Sequence, residues 1–156
     1  MDINWSYKNK SHVFDIKDST GVPYLSFKAL DDTGLAVNGF STRMGGASRG
    51  KFSTMNFSYS RGDAAEDVLE NFTRMAAALG VERDRMVVSH QTHTVNLRRV
   101  TQEDAGKGVV RERDYRDIDG LITDVPGLTL VTFYADCVPL YLLDPVNRAI
   151  GLSHSG

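Results

Sequence analysis

The segment Asp63-Ala64-Ala65-Glu66-Asp67-Val68-Leu69-Glu70-Asn71-Phe72-Thr73-Arg74-Met75-Ala76-Ala77-Ala78-Leu79-Gly80 reads as a helix. Val68, Phe72, Met75 and Leu79 recur at spacings of 4, 3 and 4, which lines them up on one face of a 3.6-residue period. Asp63 stands where an N-cap belongs and Glu66 follows three residues later, a capping-box pattern. Gly80 is placed to take the left-handed conformation that ends helices. The expected span is 64–79.

The chain on either side of this helix reads as short strands. Residues 22–27 and 35–40 precede it; 86–88, 95–100, 128–133, 140–143 and 149–153 follow it. Between them lies Ser41-Thr42-Arg43-Met44-Gly45-Gly46-Ala47-Ser48-Arg49-Gly50, whose three glycines in six residues mark a loop. Asp144-Pro145-Val146-Asn147 reads as a hairpin turn. Residues 103–119 carry ten charges in seventeen positions and read as an exposed loop or short helix rather than core. Residues 1–21 read as an irregular N-terminal segment. One long helix among many strands points to an α+β or mixed α/β layer fold.

Composition narrows the function classes. The 156 residues hold 18 Lys+Arg against 20 Asp+Glu, a net charge of -2, without the basic surplus that nucleic acid or an anionic membrane surface selects. No apolar run approaches the roughly 20 residues of a bilayer span. The start, Met1-Asp2-Ile3-Asn4-Trp5, has no basic-then-apolar leader pattern, so the expected location is cytoplasmic. Cys137 is the single cysteine, which excludes an internal disulfide.

Four histidines, His12, His90, His93 and His154, join Cys137 as candidate chemistry. His12 stands in a polar N-terminal stretch and is set aside. The others lie at edges of expected strands, where rigid elements hold a ligand and leave one side open. A lone cysteine ordinarily packs as a small hydrophobe, and a strand-end histidine is ordinarily a surface residue. The alternative is a three-ligand metal site. Two imidazoles with a thiolate suit catalytic zinc with one open position, or a trigonal copper site. The glycine-rich loop lacks the lysine and the following helix of a P-loop.

Several blocks then fall in one order: Gly39-Phe-Ser-Thr-Arg43-Met-Gly-Gly46-Ala-Ser48, Met55-Asn56, Glu70-Asn71, Gln91-Thr-His93, Asp119-Gly120-Leu-Ile-Thr-Asp124, Tyr134-Ala-Asp136-Cys137-Val-Pro139 and Gly151-Leu-Ser-His154-Ser-Gly156. Together they resemble the YfiH-type laccase-domain family from about Gly39 onward. The resemblance implies a layered α/β/β/α-type sandwich with mixed sheets. It implies a zinc-dependent purine nucleoside phosphorylase that also accepts methylthioadenosine and deaminates adenosine; family members are also described as copper-dependent polyphenol oxidases. Carried over residue by residue, the metal ligands are His93, Cys137 and His154, and His90 is not a ligand. Arg43 and Asn56 match polar positions facing the site, and Asp136 stands beside the cysteine ligand. The implied partners are a purine nucleoside and phosphate, with the protein a monomer or weak homodimer.

The resemblance also sets a length. The family continues past the matching His-Ser-Gly with Trp, a basic residue and Gly, then further sheet and helix. The expectation is therefore a single laccase-domain-type unit over 1–156, truncated at its C-terminus. Three rivals stand beside the phosphorylase reading. They are single-copper phenol oxidation, metal-free thiol chemistry with Cys137 as nucleophile, and a fragment without catalysis.

Overall fold

The computed structural model describes Ser6 and residues 12–156. In chain order the elements are β1 (Phe14–Lys17), β2 (Tyr24–Phe27), α1 (Lys28–Asp31), β3 (Phe40–Ser41), α2 (Ala65–Leu79), β4 (Met86–Val88), β5 (Leu97–Arg99), β6 (Gly120–Thr123), β7 (Thr129–Val131), β8 (Val138–Asp144) and β9 (Ala149–Ser155). This is the expected mixed α/β class, with few helices and several sheets.

The α2 helix buries the stripe its spacing announces: Val68, Phe72 and Met75 face inward. Its C-terminus ends as expected. Gly80 has φ 69°, its N–H donates to the Ala77 carbonyl, and Val81 N–H reaches back to Ala76. Its N-terminus differs. The N-cap is Ala64, with no side-chain cap. The Asp63 carboxylate instead accepts Ser48 Oγ at 2.6 Å and Asn56 Nδ2 at 2.8 Å, so tertiary partners displace the capping box.

Three sheets are present among the described residues. β1, β2 and β3 form an antiparallel sheet in that order. β4 and β7 pair in parallel. β5, β6, β9 and β8 form a mixed sheet in that spatial order, parallel between β5 and β6 and antiparallel elsewhere. Period-2 alternation in β4 joins the layers. Met86 and Val88 pack against Val68, Phe72 and Ala76 of α2, while Val87 points the other way into Val100, Leu121 and Leu130. The order is therefore helix on two-stranded sheet on four-stranded sheet. Val22 and Tyr24 of the first sheet's flank pack on Met75 and Ala78, at the far end of α2. The opposite face of the four-stranded sheet leaves Leu97, Ile122, Val138, Leu140 and Leu142 exposed.

Four expectations need correction. Residues 35–40 form a strand only at Phe40; Asn38 turns inward to accept Phe27 N–H at 2.7 Å, and Leu35 and Val37 are exposed. Residues 95–100 shorten to β5, with Val95 95 % exposed. The N-terminal segment 1–21, expected as irregular, carries β1 at Phe14–Lys17, paired with β2; its residues 1–5 and 7–11 lie outside the described residues. The charged stretch 103–119 is partly core: Asp104, Lys107, Val109, Tyr115 and Asp119 are buried. Its charges enter because they are paired. Lys107 Nζ reaches Asp104 at 2.8 Å and Asp114 at 2.9 Å, and Arg98 reaches Asp104 at 3.0 Å.

Candidate metal centre

Two loops and one strand end converge on one site. His93 follows β4, Cys137 immediately precedes β8, and His154 lies near the end of β9. The antiparallel register places Pro139 opposite His154, which brings the residue before β8 beside the histidine. Gln91 ties the two loops together. Its Nε2 donates to the Phe133 carbonyl at 2.6 Å, and its Oε1 accepts Phe133 N–H at 2.7 Å.

The structure brings His93, Cys137 and His154 together, with one ligand atom of each lying within 4.8 Å of the others. His93 Nε2 and Cys137 Sγ are 3.8 Å apart. The two imidazoles meet edge to face at a centroid distance of 4.7 Å. His154 is buried, Cys137 half-buried and His93 exposed, so the cluster is open on the His93 side. Gly156 closes the other flank. A Cβ built there would lie 2.7 Å from His93 Cδ2 and 3.1 Å from Cys137 Sγ, so a side chain at this position would displace the cluster's own side chains.

The donor set fits a metal ion. Tetrahedral zinc with nitrogen and sulfur ligands needs donors about 3.5 Å apart, close to the His93–Cys137 separation of 3.8 Å. Two neutral imidazoles and a thiolate suit zinc or copper in ligand type.

Asp119, which sequence reasoning placed only inside a motif block, underlies both histidines of the cluster. Only 1 % exposed, it accepts the backbone N–H groups of Thr92, His93 and Thr94 at 2.9–3.0 Å. It also takes the Thr94 hydroxyl at 3.0 Å and stands 2.9 Å from His154 Nδ1. Burial pushes its carboxyl up, but these donors more than offset it and hold the group well below the usual carboxylate range. His93 has φ 62°, the left-handed conformation that turns three successive N–H groups toward one anion.

Beside the cluster lies a cavity of about 920 Å³. Arg43, Asn56, Arg61, Phe57, Phe133 and Tyr134 are among its lining residues. Tyr134 joins the two regions. It lines the cavity, and its ring lies tilted against His154 at a centroid distance of 5.8 Å. Burial raises the Tyr134 hydroxyl above its ordinary value, and that hydroxyl lies 2.6 Å from Thr132 Oγ1.

The remaining sequence candidates are dispersed. Arg43 is exposed at the cavity, with Nη2 donating to the Ser53 carbonyl at 2.9 Å. Asn56 also lines it, but its amide is engaged within its own loop by Asp63 and Ser58. Asp136 is exposed, 3.9 Å from the Cys137 thiol. His90 lies outside the cluster; its Nδ1 accepts Asp117 N–H at 3.2 Å.

The family described as multi-copper polyphenol oxidoreductase laccase matches residues 37–156. The purine nucleoside phosphorylase YlmD of Geobacillus stearothermophilus is 37% identical over 125 residues, covering 78% of this chain and 44% of its own length. A purine nucleoside phosphorylase of Deinococcus radiodurans is 37% identical over 123 residues, again 78% and 44%. The crystal structure of the G. stearothermophilus YlmD superposes with a TM-score of 0.80 at 34% identity, over 92% of this chain and 52% of that one. The Bacillus licheniformis YfiH structure gives 0.80 at 31%, over 90% and 52%. The chain spans about half the length of the curated relatives it matches. No helix among the described residues is long and apolar enough to cross a membrane. With the match reaching from residue 37 to 156 and enclosing the whole His-Cys-His cluster, the chain belongs to the multi-copper polyphenol oxidoreductase laccase family.

Proposed function

We propose that this chain carries the metal-assisted site of a purine nucleoside phosphorylase, with zinc held by His93, Cys137 and His154. The observation that carries the reading is the gathering of these three residues within 4.8 Å, one aromatic ring away from a cavity lined by Arg43. The names of the relatives from G. stearothermophilus and D. radiodurans support it.

In this reading Arg43 clamps phosphate through its planar fork of donors. The walls of Phe57, Phe133 and Tyr134 suit the flat faces of a purine. A phosphate oxygen bonds to the anomeric carbon as the N-glycosidic bond breaks. The base leaves with the bonding pair and takes up a proton. Asp136 supplies or orients that proton beside Cys137, and Asn56 adds a polar contact to the substrate. A bound zinc ion would supply Lewis-acid stabilisation of the charge that develops. Methylthioadenosine fits the same chemistry. Deamination of adenosine, with water replacing an amino group that leaves as ammonia, is the secondary activity. The protein is cytoplasmic in this reading, a monomer or weak homodimer, with neither nucleic acid nor membrane as partner.

The test is incubation of zinc-loaded protein with inosine and phosphate. Release of hypoxanthine and ribose 1-phosphate, dependent on phosphate and lost in Cys137→Ala, is the expected result. Full turnover by Cys137→Ala, or undiminished turnover in a strong chelator, would overturn it in favour of metal-free chemistry. Bound metal without product would favour the non-catalytic alternative.

The family's description favours a second reading, copper-dependent phenol oxidation. The cluster offers two imidazoles and one thiol, the complement of a single ion rather than of a multicopper assembly. Metal analysis of freshly purified protein, with oxygen uptake on phenols, separates the two.

A further inference from the structure

We infer that Asp119 is the positioning residue of the metal centre, the one group that orients both of its histidines. The inference rests on the metal-binding reading of the His93, Cys137 and His154 cluster and deepens it.

An ionised carboxylate only accepts hydrogen bonds. His154 Nδ1 lies 2.9 Å from Asp119 Oδ1, so the imidazole proton belongs on Nδ1 and the lone pair of Nε2 is left for a metal. The same Oδ1 accepts the backbone N–H of His93 at 2.9 Å. One oxygen thus fixes the tautomer of one histidine and the backbone of the other. Oδ2 holds the residues on either side, through Thr92 N–H, Thr94 N–H and Thr94 Oγ1, each at 3.0 Å. Without an anion beneath it, a non-glycine residue at φ 62° has little reason to keep that conformation.

The sheet positions Asp119 in turn. It immediately precedes β6, and its carbonyl accepts His154 N–H at 2.8 Å, so ladder pairing between β6 and β9 sets the carboxylate and the imidazole side by side. Because it is 1 % exposed, water does not take over its bonds when a ligand binds or leaves. Carboxylates that support a histidine from behind in this way raise ligand basicity, and their removal weakens metal binding by roughly 10–100-fold. Asp119 is distinctive in serving two ligands from one buried site.

The experiment is zinc titration of the 156-residue chain against a chromogenic chelator, with cobalt(II) spectra reporting the thiolate and coordination number. Long-range proton–nitrogen NMR on the imidazoles reads the tautomer directly, with no metal present. The expected results are an Nδ1–H tautomer for His154 in the wild type, and a roughly 10–100-fold weaker zinc affinity in Asp119→Asn with a mixed tautomer. If that variant fails to fold, Thr94→Val removes a single Asp119 partner and is expected to weaken zinc several-fold. An Nε2–H tautomer of His154 in the wild type, or unchanged zinc affinity in both variants, overturns the inference. Failure of the wild type to take up zinc would instead defeat the metal reading, and the tautomer alone would then decide the role of Asp119.

Discussion

Asn71, fully buried in the middle of α2, accepts the backbone N–H of Ala47 at 2.6 Å and so fixes the glycine-rich loop to the helix. Its Nδ2 donates to Ser48 Oγ at 2.8 Å and to the Asn56 carbonyl at 2.7 Å, so both ends of one amide hold the segment that carries Arg43. Asn71→Ala leaves the Ala47 N–H and the Asn56 carbonyl without this partner. At 1–3 kcal/mol for each unsatisfied buried group, the expected loss is about 3 kcal/mol, or roughly 10 °C in melting temperature for a chain of this size. Thermal denaturation checks it, and a melt within 2 °C or so of the wild type would show that the loop holds without the anchor.

Much of this architecture is visible in the sequence where one period dominates. The α2 stripe and Gly80 announce the helix, and β4, with three buried apolar residues, announces a strand. β6 escapes because Leu121 enters the core while Ile122 on the other face stays partly exposed, so four residues show neither alternation nor a long apolar run. Residues 103–119 mislead because charge density reads as exposure, whereas Asp104 and Lys107 are buried as a pair. His93 and Cys137 are 44 residues apart and carry no spacing signal. Only the ordered motif blocks link them with His154. Asp119 stays hidden among charged neighbours because most of its partners are backbone N–H groups on a distant loop, which no residue-type pattern reports.

Gly46 tests the other side of the Arg43 loop. A Cβ there would lie 2.0 Å from the Thr54 carbonyl oxygen and 2.7 Å from Met55 Cα, both backbone, so no side-chain rotation relieves the clash. Thr54 and Met55 N–H groups bond the Arg43 carbonyl at 3.1 and 3.2 Å, and the displacement would pass to Arg43. Gly46→Ala is expected to cost about 3 kcal/mol, at the upper end for overpacking. Gly50→Ala, at φ +59° with open space around it, is expected to cost only about 1 kcal/mol of backbone strain. Equal melting temperatures for the two variants would contradict this.

Asp104 sets an acid limit on stability. Burial pushes its carboxyl up, but Lys107, the Thr101 N–H and Arg98 more than offset burial and bring it from 3.8 down to about 2. A carboxyl depressed on folding contributes stability that is fully present above its unfolded value. That contribution disappears as pH falls from about 4 toward 2, because the unfolded chain binds the proton first. The contribution is about 2 kcal/mol. Asp104→Asn should flatten stability over that acid window and, with Asp114 left as the remaining carboxylate partner of the 9% exposed Lys107, cost about 2 kcal/mol at neutral pH. Denaturant melts at a series of pH values measure both effects, and an unchanged acid slope in the variant would refute the assignment.

Zinc binding should appear as stability even where no reaction is assayed. An ion that binds only the folded chain at 100 times its dissociation constant adds about 2.7 kcal/mol, which for this size raises the melting temperature by roughly 5–10 °C. Cys137 is half-buried, and among the described residues its side-chain hydrogen bonds are long ones, 3.8 Å to His93 and 3.9 Å to Asp136. Cys137→Ala should therefore leave the metal-free melt within about 0.5 kcal/mol of the wild type while removing most of the zinc-induced rise. His90→Ala should retain the rise, since His90 stands outside the cluster. A full zinc shift in Cys137→Ala, or its loss in His90→Ala, would place the ion elsewhere.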